Sequence, residues 1–356
     1  MAVNEMTLKG KKVRGVNRAK LVSKRRRVQL PQWAVAWIVL IPALICICMF
    51  MLYPIINTSL YAFIQNAQYV RNGGSFALGQ FIAGVKKGRN ISFGLSNFSL
   101  VLKDKTFTKS ILNTSILVIV EVPLTIIVSL LIATFLNNIK VLKGFYQTIF
   151  FLPYVTNTIA LGLVFNLAFS NEPGGLVNIV LSKFGVEPIN WLRYAGATQA
   201  QGPATRFHQG VVIVLYSLWN GIAFKILVFM SGLATIDSQY YNAAKIDGAS
   251  NFTIWRRITL PLLSPQILYI TITSFIGAFK MYTGVMAVYT GAGADAYYFG
   301  GWDGREWMPV VGWIYNELHL NYKTPGKASA ASLVLLAIIM VITAVQFAVS
   351  KKRVHY

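Results

Sequence analysis

Three charged residues stand inside long apolar runs of this chain: Glu121, Lys225 and Lys280. A charge in such a run is costly in lipid and marks a pairing partner, a wet cavity or a cargo path. Trp219 and Asn220 lie shortly before Lys225, and Tyr282 lies two residues after Lys280. Aromatic faces, an amide and a few placed polar groups are what a small polar ligand such as a sugar requires. Two readings fit the charges. In the favoured one they pair with each other across segments or line a water-filled cavity. In the other, one lysine meets an anionic sugar. Aromatic residues at helical spacing also serve ordinary packing, so Trp219 and Tyr282 carry both meanings.

Catalysis leaves no comparable trace. The phosphate-cradling pattern Gly-x-x-x-x-Gly-Lys-Ser/Thr is missing; Gly326-Lys327 is followed by Ala328 and has no glycine at the earlier position. His208, His319 and His355 are scattered over loops and a tail, whereas a metal site needs converging ligands. Cys46 and Cys48 share one apolar run, which gives neither a disulfide framework nor a zinc motif. The expectation is a chain with no catalytic residues, no metal and no cofactor of its own.

A second stretch has a defined shape. Tyr241 to Pro265 reads as helix, break, helix. Asp237 or Ser238 can cap a first helix ending near Ile246. Gly248 supplies the positive φ of a helix stop. Ser250 or Asn251 can cap a second helix, Phe252 to about Ile258, and Pro261 and Pro265 suit the first turn of a longer apolar helix. Ala243, Ala244 and Ala249 leave a flat surface on which another backbone could approach.

The elements that must position these residues follow from composition. Of 356 residues, 55% are hydrophobic and only 12% charged, against about a quarter charged in globular chains. A soluble domain is excluded. The net charge of +22 raises a nucleic-acid or anionic-lipid reading, but ten basic residues crowd into the polar tail 1–32 beside one acid, Glu5, and most others flank apolar runs. A solvated, orientation-setting tail is favoured. The long apolar run after it, with no small-residue cleavage site, does not suit a signal peptide.

Runs of roughly 20 apolar residues can cross a bilayer. They fall at 33–60, about 110–136, about 145–169, 210–236, 261–289 and 328–349. An all-α membrane bundle of about six helices is expected, divided as a basic tail 1–32, a first span 33–60, an insertion 61–107, a core 108–350 containing a loop at 237–260, and a terminus 351–356. The tail, the turn at Lys140, the loop at 237–260 and the C-terminus carry 18 basic residues in about 70 positions; the other connections carry 13 in about 120. The denser side is cytoplasmic, so both termini and the loop at 237–260 face the cytoplasm.

That loop resembles the EAA loop of ABC importer permeases. Ala243, Ala244, Asp247, Gly248, Ala249, Ile258, Leu260 and Pro261 stand in register with the family pattern; Asn242 replaces its glutamate and Trp255 a common phenylalanine. The missing carboxylate removes an ion pair to an ATPase arginine, though Asn242 can still accept a hydrogen bond. Asn113-Thr114, Phe150-Phe151-Leu152-Pro153, Asn190-Trp191-Leu192, Gly291–Gly293 and the small residues Ala328, Ser329, Ala330 and Ser332 resemble the first permease of oligosaccharide importers. The resemblance covers Asn113 to Val349. It implies a type I importer bundle with an extra N-terminal helix in a bacterial inner membrane. It further implies a second permease chain, two ATP-binding subunits that hold Mg-ATP and dock on Asn242–Pro261, and an extracytoplasmic substrate-binding protein. Other cargoes, such as a glycerol phosphate ester, an amino acid or a peptide, fit the same machine. An ion-coupled secondary transporter is the competing class, but the internal repeat often found there is not seen.

Overall fold

With no water to satisfy N–H and C=O groups, an apolar chain closes its backbone hydrogen bonds within helices. The computed structural model describes residues 31–65, 92–139, 141–170, 175–192, 203–290, 307–319 and 325–350. These described residues fold as two compact units that divide between Pro54 and Ile55. In the first, α1 (Gln32–Ile47) leads into a π turn, Cys48–Leu52, with outward apolar residues such as Trp37 and Phe50 and no buried side chain.

The second unit holds α2 (Tyr53–Phe63) from Ile55 onward, a two-residue antiparallel pair β1 (Ile64–Gln65) and β2 (Ser92–Phe93), α3 (Ser96–Lys103), α4 (Lys105–Asn138), α5 (Lys143–Val155) and α6 (Thr158–Ala168). After α7 (Leu176–Ser182) come α8 (Pro203–Thr235) and α9 (Ser238–Ile246). Then α10 (Asn251–Ile254) runs through a π turn, Trp255–Thr259, to Leu262. Last come α11 (Ser264–Phe279), α12 (Thr283–Thr290), α13 (Val310–His319) and α14 (Pro325–Ser350).

Among the described residues, four helices are long and apolar enough to cross a membrane: Gln32–Phe63, Lys105–Asn138, Arg206–Thr235 and Pro325–Ser350. The other two expected spans are bent pairs, Gly144–Val155 with Thr158–Ala168 at 98° and Asn251–Leu262 with Ser264–Phe279 at 65°. The reasons are local. Asn157 caps a new helix by accepting from the N–H groups of Ile159 and Ala160. Pro265 opens α11 in its first turn. The run to Tyr289 breaks again at 280–282, where Lys280 caps the end of α11.

α4 is the axis of the second unit and packs most extensively on α8. Its N-terminal part supplies Phe107, Val118 and Val122 to a core shared with α13 and α14, and Leu117 to one shared with α6, α8 and α12. Its C-terminal part gives Leu130, Ala133 and Leu136 to a third core with Phe229 and Leu263. Gly162 lets α6 approach α12 closely, since an added Cβ would collide with the Ala287 side chain. The small residues Ala328, Ser329 and Ala330 at the start of α14 are buried, and Gly326 lies against Asn97, whose amide donates to the carbonyls of Ala62 and Ile64 at 3.0 Å each.

The start of α4 is tied to α13 and α14 by a charged knot. Asp104 caps α4 and accepts from Lys327 Nζ at 2.8 Å, while Lys327 also meets Glu317 at 3.4 Å and lies over the Trp313 ring. Trp313 Nε1 donates to Thr106 Oγ1, which donates to Asp104. Burial opposes ionisation of Asp104, but the hydrogen bonds from Lys327 and Thr106 and the lysine's charge outweigh it and hold its pKa at about 2. A pKa below the unfolded value of 3.8 gives stability that is complete above that value and is lost as pH falls through about 2. Lys327→Met is expected to destabilise the detergent-solubilised protein by about 1–2 kcal/mol near neutral pH, for a pair between the exposed and buried limits. Thermal melts check this, and the gap from wild type should narrow between pH 4 and 2.

Candidate functional site

The first site is the short helix α9 and the chain leaving it. Asp237 accepts from Gln239 N–H and starts the helix. Gly248, at φ +71°, stops it. Gly248 N–H donates to Lys245 C=O at 3.1 Å and Ala249 N–H to Ala244 C=O at 3.0 Å, the paired bonds of a Schellman stop. Ser250 caps the next helix through Thr253 N–H. That helix runs past the expected end at Ile258, because a π turn carries it to Leu262 with Pro261 in its last turn.

Asn242, Ala243, Asp247 and Gly248 are exposed, as are Lys245, Arg256 and Arg257; Ala244, Ala249, Ile258, Leu260 and Pro261 are half-buried. Ile246 is 86% exposed, Phe252 66% and Tyr240 57%. So much uncovered apolar surface beside flat alanines has the character of a contact surface. The face is braced from behind: Trp255 Nε1 donates to Thr134 Oγ1 of α4 at 3.3 Å, and the hydroxyls of Tyr241 and Thr259 lie 3.3 Å apart. These bonds tie the chain that follows α9 to α4 and to α9 itself.

The second site is a cavity of about 590 Å³ lined by residues of α4, α5, α6, α8, α11 and α12. Glu121 sits at the middle of the 34-residue α4, between the cores of its N-terminal and C-terminal parts. α8 presents Ser217, Asn220, Gly221, Phe224 and Lys225, the i, i+3, i+4, i+7, i+8 spacing of one helix face. Aromatic walls come from Tyr154, which stacks on Phe224 at 6.1 Å, and from Tyr216 and Tyr282. Tyr216 donates to Thr158 C=O at 3.1 Å and accepts from the Asn220 amide at 3.4 Å. Lys225 Nζ donates to Gly221 C=O at 3.3 Å, and Glu121 and Lys225 lie within each other's field, with Ser217 beside the carboxylate. The floor is open at Gly277, where an added Cβ would meet nothing within 4 Å.

Of the six pathway residues expected from sequence, Glu121, Asn220, Lys225 and Tyr282 line this cavity. Trp219 is exposed on another face of α8, and Lys280 is exposed at the end of α11; neither is a wall residue. Tyr154, Thr158, Tyr216, Ser217, Phe224 and Gly277 were missed, although the polar stripe on α8 was a readable signal for three of them. The other motif positions are structural. Thr114 Oγ1 accepts from Val310 N–H, and Asn113 Oδ1 accepts from Arg206. Trp191 Nε1 donates to Asn178, Leu192 is buried, and the Gln147 amide meets Met230 sulfur at 3.8 Å. Gly291–Gly293, the tail 1–30 and residues 66–91 of the insertion lie outside the described residues.

Residues 125–355 match the family model of the binding-protein-dependent transport system inner membrane component. The chain is 28% identical over 321 residues to the lactose transport system permease protein of Rhizobium radiobacter, covering 89% of this chain and 94% of that one. It is 29% identical over 318 residues to the arabinooligosaccharides transport system permease protein of Bacillus subtilis, covering 87% and 86%. It is 28% identical over 263 residues to the sn-glycerol-3-phosphate transport system permease protein of Agrobacterium fabrum, covering 74% and 82%. In fold it is similar to a chain in the crystal structure of a bacterial ABC transporter involved in the import of the acidic polysaccharide alginate, with a TM-score of 0.69 at 18% identity, covering 90% and 96%.

Proposed function

We propose, for a chain that belongs to the family of binding-protein-dependent transport system inner membrane components, that it forms half of the translocation path of an ATP-driven importer of a sugar or oligosaccharide. The observation that carries the reading is the cavity of about 590 Å³ at mid-span, walled by tyrosines, amide and hydroxyl groups and two charges. Aromatic faces suit the C–H faces of a sugar ring, and fixed polar groups suit its hydroxyls.

In this reading α9 seats in a groove of a separate ATP-binding subunit, a short helix laid into a partner's groove. Two such subunits close on Mg-ATP, and their motion passes through Trp255 and Thr259 into α4 and α11, opening the cavity to alternate sides of the membrane. A second permease chain completes the path, and an extracytoplasmic binding protein delivers the cargo. Lactose and arabinooligosaccharide permeases among the relatives support sugar over other solutes. The chain itself contributes no ATP site; binding ATP is the work of its partners.

Uptake into proteoliposomes holding the full complex tests this. Entry of cargo is expected to require ATP on the side of α9 and to survive an ionophore. Entry that ignores ATP and stops when the ion gradient collapses belongs to the secondary-transporter class. Orientation has its own check: in this reading, which the density of basic residues supports, both termini and α9 face the cytoplasm. Cysteines at the exposed positions Ser96 and Ser250 are expected to react with a membrane-impermeant thiol reagent from outside and from inside respectively. Reaction of both from outside contradicts the topology.

A further inference from the structure

We propose that Glu121 and Lys225 together clamp two neighbouring hydroxyl groups of an uncharged sugar and make the cavity reject anionic cargo. The proposal rests on the reading of the cavity as the cargo path. Among the cavity's described wall residues these two are the charged ones, and their formal charges cancel. Among the described wall residues of this chain no lysine or arginine is left over to balance a carboxylate or phosphate brought by the cargo.

The two groups share the cavity with bonding capacity left unused. Glu121 Oε2 is buried and no protein group hydrogen-bonds to it. Lys225 Nζ gives one hydrogen bond, to Gly221 C=O, out of the three that an ammonium can donate. A carboxylate only accepts and an ammonium only donates. A vicinal diol matches both: one hydroxyl donates to Oε2 while its neighbour's oxygen accepts from Nζ. Tyr154, Phe224, Tyr216 and Tyr282 supply flanking faces for the ring. A uronate or phosphate in that place would face the Glu121 charge, and the single Lys225 charge balances only one of the two anions. Like charges brought together in a buried site are strongly unfavourable.

The test is direct binding of two radiolabelled probes, neutral arabinotriose and trigalacturonate, to the purified complex without its binding protein. Wild type is expected to favour the neutral probe by about tenfold or more. Glu121→Gln frees the Lys225 charge and is expected to move the ratio toward trigalacturonate by about tenfold or more. The exchanged pair, Glu121→Lys with Lys225→Glu, keeps the wall neutral and should keep the neutral preference, which a merely structural pair has no reason to do. An unchanged ratio in Glu121→Gln, or a wild-type preference for trigalacturonate, overturns the clamp. Gly277→Trp, which fills the cavity, separates the two claims: binding of either probe that survives it refutes the cavity reading itself, whatever the ratio.

Discussion

Gly248→Pro is expected to cut ATP-coupled uptake by about 100-fold or more while the chain still reaches the membrane. Gly248 sits at φ +71°, and proline fixes φ near −65°. The substitution also deletes the N–H that donates to Lys245 C=O. A penalty of about 3 kcal/mol or more falls on the Schellman stop, so α9 must leave at another angle or lose its last turn. Either outcome moves Ile246 and Ala243 off a partner's groove. The spans are stabilised by packing far from this turn, in the cores around Phe107, Tyr216 and Phe229. Membrane fractionation should therefore find the protein in place, with uptake lost. Normal uptake in this variant would remove α9 from the coupling path.

Gly277→Trp is expected to abolish uptake by a different route, again by about 100-fold or more, equivalent to at least 2.7 kcal/mol, about two factors of ten. The Cβ of any residue there points into open space, so the helix can accept it and the indole must occupy the cavity. Tyr282 and Lys225 line the same space, and a bulky ring excludes a sugar from both. The docking face at α9 is untouched, so the ATP-binding subunit should remain attached. The two variants thus separate: one leaves the path open and disconnects the motor, the other leaves the motor attached and blocks the path. Uptake near wild type in Gly277→Trp would contradict the cavity as the route of cargo.

The loop was the most legible part of the sequence. Asp237, Gly248 and Ser250 each announce a helix end by chemistry local to one turn, and the structure uses all three. The π turn at Trp255–Thr259 was not legible, because it depends on how the helix meets Pro261 and the core beneath it. The cavity was half legible. Asn220 and Lys225 fall on one face of α8, whereas Trp219, one residue and about 100° away around the helix, points elsewhere. Lys280 was read as standing inside the run 261–289, but α11 stops at Phe279 and leaves it exposed. Tyr154 and Thr158 reach the cavity only because the chain bends by 98° between α5 and α6. Hydropathy sees one continuous apolar run there and carries no sign of the bend.

The account stands or falls on whether α9 is the seat of an ATP-binding subunit. Ala244→Glu places bulk and charge on that face without disturbing Gly248, and Asn242→Glu adds the carboxylate that the resembling family carries there. Copurification of the ATP-binding subunit with tagged chain is the direct measurement. Ala244→Glu is expected to lower the amount retained and uptake together, while Asn242→Glu retains at least as much as wild type. Full retention by Ala244→Glu with normal uptake would show that the motor attaches elsewhere.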